Sequence, residues 1–161
     1  MRTPSLRRVL TMLGAAAVLG AGPLIATTGA SAAAHPGPGI LTGACHGSKG
    51  VTEVVDFTKL GGSVEVHCDY GTPKTGLAAL TGAGFTYSFV PKIPGFICRI
   101  DKLPNPCNGA PAKAYWGYFH AKAHGTWKFS NKGAGSYDPP QGTVEGWAFG
   151  SGQKPSIAPP N

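Results

Sequence analysis

The chain has 161 residues, 14 Lys and Arg against 7 Asp and Glu, and a formal charge of +7 at pH 7. That length suits one domain. Its lysines are scattered from Lys49 to Lys154 without a cluster, which excludes a basic stripe tracking nucleic-acid phosphates.

From the start of the chain, Arg2, Arg7 and Arg8 precede an apolar segment, residues 9–25, that leads into Ala30-Ser31-Ala32. A basic region, an apolar region and a small-residue cleavage site make the pattern of a secretory signal peptide, residues 1–32. Gly14, Gly20, Gly22 and Pro23 interrupt the apolar run, whereas a spanning helix needs about 20 apolar residues. The expected product is therefore secreted and extracellular, with no membrane span after cleavage. Arg7-Arg8 before Val9-Leu10 also admits a twin-arginine route. Cleavage after Ala32 removes three arginines and no acid, so the charge falls from +7 to +4. That residual charge admits association with anionic wall polymers.

Residues 33–50 are rich in Gly and Pro and read as a flexible entry segment pinned at Cys45. The four cysteines, Cys45, Cys68, Cys98 and Cys107, form an even set in an exported chain, which points to two disulfides with three connectivities to choose from. Cys98 and Cys107 bracket a short loop, and Cys45 would tie the loose entry segment to the strand ending at Cys68. Those are the expected pairs. No C-x2-C pair supports zinc instead.

The domain itself is expected over residues 51–150. Residues 51–57 are β-branched, a turn follows at Leu60-Gly61-Gly62-Ser63, and Val64, Val66 and Cys68 then alternate with Glu65 and His67. Period two marks a half-buried strand, so this is a hairpin. Thr72-Pro73 can serve as N-cap and first residue of a helix carrying Leu77 and Leu80, with Gly84 placed to end it. Phe85, Tyr87 and Phe89 form the next alternation, stopped by Pro91 and Pro94, and Phe96, Cys98 and Ile100 the one after. Pro104, Pro106 and Pro111 make residues 101–113 a loop. Residues 115–120, 127–130 and 143–149 supply the remaining strands, and the tail, residues 151–161, lacks a packing pattern and reads as flexible. One helix among six or seven short strands predicts an α+β domain with a mostly antiparallel sheet.

Five pieces of this chain carry a resemblance: Gly76-Leu77-Ala78-Ala79-Leu80; Gly95-Phe96-Ile97 with Ile100; Tyr115-Trp116-Gly117-Tyr118; Gly133-Ala134 with Tyr137; and the run from Gly142 through Trp147 to Phe149. In order and rough spacing they resemble the transcobalamin C-terminal-like domain family, within it a group of small secreted or surface actinobacterial proteins. The resemblance implies a β-grasp-like fold, one helix across a curved antiparallel sheet. It also implies a corrinoid ligand, since larger members use this module beside a helical domain to cover one side of cobalamin. No stretch of this sequence corresponds to that helical domain. Thr143 and Lys102 stand where the family commonly has Asp and Gly, and the cysteine pairs belong only to the narrower group.

The aromatic residues are the candidate ligand-binding set: Trp116, Tyr118, Trp127, Tyr137 and Trp147. On one strand Tyr115, Gly117 and Phe119 face one way and Trp116, Tyr118 and His120 the other. The expectation is that Tyr115 and Phe119 meet the helix and that Trp116 and Tyr118 lie outward as a stacking platform; the competing reading is that both are core. Trp147 poses the same choice, and Trp127 takes no defined face. His120 and His124 would share a metal only on a helix, which Gly125 opposes, so no metal is expected. There is no G-x-S-x-G, no H-E-x-x-H and no two acidic residues fewer than three positions apart. The expectation is a non-enzymatic binding module without a cofactor, for a small-molecule ligand of cobalamin-like corrinoid type. The alternative is a cell-envelope interaction protein that binds glycan, cell-wall polymer or a surface protein through the same aromatic face.

Overall fold

The structure is a computed structural model and describes residues 40–161. The expected signal peptide and residues 33–39 of the entry segment lie outside the described residues. The strands are β1 (Ile40–Thr42), β2 (Val51–Asp56), β3 (Val64–Asp69), β4 (Tyr87–Val90), β5 (Ile93–Ile100), β6 (Tyr115–Lys122), β7 (Lys128–Phe129) and β8 (Thr143–Gly150). One α-helix, α1 (Gly76–Gly82), and one 3-10 turn (Thr58–Leu60) complete an α+β architecture.

Six strands form one sheet in the order β1-β3-β2-β8-β6-β7, while β4 and β5 make a separate hairpin. All pairings in the large sheet are antiparallel except the central one, where β2 runs parallel to β8 with Val51 opposite Thr143 and Asp56 opposite Ala148. Every residue of β2 is buried, and so is all of β8 beyond Thr143. A strand buried on both faces needs cover on both. On one face α1 and the hairpin bring Leu80, Ala83, Phe85, Ile97 and Ile100 against Val55, Trp116, Tyr118, Trp147 and Phe149. On the other, Val54, Phe119, Ala121, Val144 and Ala148 pack beneath Trp127 and Ile157.

That second layer overturns two expectations. Trp116 and Tyr118 are not an outward platform: they are 6% and 7% exposed and face α1, while Phe119 takes the opposite face. The tail is not loose either. The Ser156 N-H donates to Asp56 Oδ2 at 2.7 Å, the Trp127 Nε1-H donates to the Ile157 carbonyl at 2.7 Å, and the Thr52 hydroxyl donates to the Asn161 carbonyl at 3.1 Å. Pro155 and Pro159 are buried. Proline offers no N-H and no side-chain periodicity, so a strap built from it escapes a search for alternation. Gly146 admits the strap, because a Cβ there would stand 2.6 Å from the Trp127 ring and 3.0 Å from Pro155.

Other local differences have simple causes. The helix N-cap is Thr75, whose hydroxyl accepts from the Ala78 N-H at 3.0 Å, so Thr72-Pro73 precede the helix. Phe85 is not yet in a strand; its N-H donates to the Leu80 carbonyl and its ring stacks on His67 at 4.5 Å. The turn between β4 and β5 passes through Lys92 in the left-handed region, and Pro94 lies inside β5. Two disulfides join Cys45 to Cys68 and Cys98 to Cys107, the expected pairs.

Candidate functional site

The five aromatic candidates divide three ways. Trp116, Tyr118 and Trp147 come together as the floor of a cleft of about 230 Å³. Their convergence follows from register: Trp116 is opposite Phe149 and Tyr118 opposite Trp147 across the β6/β8 pair, so all share a face. The Tyr118 and Trp147 rings lie 4.6 Å apart, and Trp116 makes edge contacts with Phe57 and Phe149 at 5.3 and 5.4 Å. The Trp116 Nε1-H donates to the Leu103 carbonyl at 3.3 Å, which fixes its ring against the loop before Cys107. Tyr137 lies beside this group, 6.0 Å from Tyr118, and lines a different pocket with His120. Trp127 is on the other face of the sheet beneath the strap and does not join them.

The rim of the cleft is supplied by Phe96 from β5, the end of β7 at Phe129 and the segment from Ser130 to Ala134; the Phe129 ring itself packs edge-on against Phe119, 5.1 Å away, on the other face of the sheet. Phe96 is 43% exposed and Phe129 55% exposed. Neither was among the expected site residues. Phe96 lies in the Gly95-Phe96-Ile97 motif, but its alternation with Cys98 and Ile100 made it look like core; Phe129 is the only apolar residue between Trp127 and Ser130 and carries no distinctive signal.

Behind the aromatic floor lies a polar layer that sequence spacing did not reveal. Glu53 and Glu145, far apart in the chain, are directly abreast across the parallel β2/β8 pair and are both fully buried. The register extends the row outward, with His67 opposite Glu53 on β3 and His120 opposite Glu145 on β6. Glu53 Oε2 accepts from the Trp147 Nε1-H at 2.9 Å. Glu53 Oε1, both Glu145 carboxyl oxygens and the Tyr118 hydroxyl have no protein hydrogen-bond partner. The start of α1 approaches here because Gly76 has no side chain: a Cβ would collide with the Tyr118 hydroxyl and stand 3.2 Å from Glu145 Oε2.

The electrostatics follow from burial. Desolvation pushes the Glu145 carboxyl up to about 8. Glu53 is also raised well above the usual carboxylate range, by burial first and by the neighbouring Glu145 second, with the Trp147 N-H opposing. Burial raises Asp69 as well, against the pull of the Gly71 N-H. Near neutral pH the Glu145 carboxyl is thus held protonated and Glu53 is driven the same way, so the pair can accept and donate hydrogen bonds within an apolar core. Among the described residues no group of three His, Cys, Asp or Glu side chains is arranged to hold a metal ion. The His124 Nε2-H donates to Asn161 Oδ1, 2.8 Å away at the end of the strap, and β2 and β8 stand between His67 on β3 and His120 on β6.

No family model, no curated protein and no solved structure matches this chain.

Proposed function

We propose that residues 40–161 form a secreted, non-enzymatic binding module of β-grasp-like fold, with its ligand seated at the Phe96–Phe129 cleft. The observation that carries the reading is the combination of a preformed aromatic floor with an exposed aromatic rim, Phe96, in one concavity. Rigid rings offer contact area at little cost in ordering, the economy expected of a binding surface. Two disulfides support an oxidising, extracellular setting. The connectivity supports the fold reading. With β1 and the hairpin set aside, the strands lie in the order second, first, fifth, third, fourth, with the helix following the second.

The ligand class to test first is a cobalamin-like corrinoid, as the resemblance to transcobalamin C-terminal-like domains implies. The cleft, at about 230 Å³, is below the roughly 300–1,000 Å³ of pockets that enclose a drug-sized ligand. A corrinoid would accordingly lie against Phe96 and insert only an edge or a side group. Trp116 is a poor probe of this, because its burial ties any truncation to stability. Phe96→Ala removes an exposed ring instead, and is expected to weaken cobalamin binding by about two- to tenfold. Titration of the purified domain, read by corrin absorbance and Trp fluorescence, measures this. Absence of saturable binding at millimolar cobalamin rejects the corrinoid.

A second reading has its own observation. Ile93, Phe96 and Phe129 are 51%, 43% and 55% exposed, and large apolar side chains left in water mark interaction surfaces. Retention on cell-wall polysaccharide or a surface protein, abolished by Phe96→Ala, would favour an envelope interaction protein.

A further inference from the structure

A second pocket, of about 460 Å³, opens at the other end of β6 and is larger than the aromatic cleft. Its polar lining comes from His120 and Lys122 of β6, Lys128 of β7 and Thr143 of β8, joined by Thr126. Register explains the gathering. His120 is opposite Lys128 on one side and Glu145 on the other, and Lys122 is opposite Thr143, so the four lining residues occupy one corner of one sheet face. No carboxylate lines the pocket. Among the described residues no carboxylate lies within 4.0 Å of either ammonium group, and burial pushes the nearest acid in the register, Glu145, up to about 8. Tyr137 and Pro140 supply an apolar wall, and the Tyr137 ring lies flat on His120, 4.7 Å away with 1° between the planes.

We propose that this pocket binds a small amphiphilic anion, whose oxyanion head is a phosphate or carboxylate held by Lys122 and Lys128, and whose apolar body rests on Tyr137 and Pro140. The volume falls inside the roughly 300–1,000 Å³ of small-molecule sites, and a few convergent polar groups on an apolar wall is their usual composition. Lysine suits the head as a compact charge with three donors, and the Thr126 hydroxyl adds another. The site is separate from the Phe96–Phe129 cleft. Tyr118 lines one concavity and Tyr137 the other, with their rings in edge contact between them.

His120 reports on occupancy. It faces Lys128 from β7, Glu145 from β8 and the Tyr137 ring, with Lys122 next on its own face. Burial, and then the Lys128 charge, keep its imidazole below the usual range. An anion beside Lys128 offsets that charge and favours imidazolium. The experiment is NMR titration of the His120 ring in the whole chain with phenyl phosphate, benzoate and, as the neutral counterpart, benzyl alcohol. Saturable perturbation by either anion, with a rise in the His120 midpoint, is expected, and comparison of the two anions separates phosphate from carboxylate heads. Lys122→Gln with Lys128→Gln should weaken binding by about tenfold, whereas Lys59→Gln, on the 3-10 turn, should leave it unchanged. No saturable effect at tens of millimolar anion overturns the site. So does equal affinity for benzyl alcohol, or undiminished binding in a double variant whose amide spectrum shows it folded.

Discussion

Glu145 and Glu53 show what single residues contribute here. Each would be ionised in an unfolded chain above its ordinary value of 4.5, and each is driven toward the protonated form on folding by loss of water. A carboxyl whose folded-state value is raised contributes stability that is fully present below about 4.5 and is lost as pH rises toward about 8. Within that window each carboxyl that takes up a proton on folding costs about 1.4 kcal/mol per pH unit. Urea unfolding followed by Trp fluorescence from pH 5 to pH 8 should therefore show a falling midpoint, and Glu145→Gln should flatten the slope. A midpoint that climbs through this range would mean the two carboxyls are charged and paired in the folded chain. None of this was legible in the sequence. Glu53 and Glu145 each alternate with apolar neighbours in the way a solvent-facing residue does, and only the parallel pairing of two distant strands puts them side by side.

Among the elements, strands were the most legible because their alternation is local, and the segment least legible was the strap. Val64 to Cys68 and Tyr115 to His120 show period two and form strands where expected. Alternation gives two sets of residues, however, and does not say which set meets the helix. Trp116 meets the helix and Phe119 the strap, an outcome alternation leaves open because both faces of the sheet are covered. The strap supplies the second cover, through backbone carbonyls and prolines rather than a periodic apolar face. Asp56 belongs to the same device. Its burial favours the neutral form, but hydrogen bonds from Thr58 and Ser156 outweigh it and hold the carboxylate below its usual range. Removing residues 155–161 should uncover Trp127 and Val144 and destabilise the domain by about 2–4 kcal/mol, on the scale of one or two large side chains returned to water. Chemical denaturation measures the loss, and a red-shifted Trp emission in the folded baseline would identify Trp127 as its source. Unchanged stability would show that the strap is only draped over the sheet.

For the whole molecule, the cysteine pairs and the α+β class could be read from counting and punctuation, since both depend on residues near one another in the chain. The sheet order could not, because β2 finds β8 across most of the domain and no local pattern encodes the partner of a strand. The same arrangement makes the aromatic cleft a product of long-range assembly: its floor is β6 and β8, and its rim is β5 and β7. A chain ending at residue 142 should lack native ellipticity and rapidly exchange its amide protons, even with both disulfide pairs of cysteines retained. Slow exchange in β2 and β3 of that shortened chain would show instead that the first hairpin and α1 are an autonomous unit.

The parallel β2/β8 pairing also fixes an order of events in time. The strand that leaves the ribosome early must wait, half-paired, for one of the last to be made, because β8 stands between it and β6. Contacts this distant are slow to close. During that wait the chain has no central strand to close around, so it stays threadable, and the sheet, the carboxyl row and both concavities come into being together when β8 arrives.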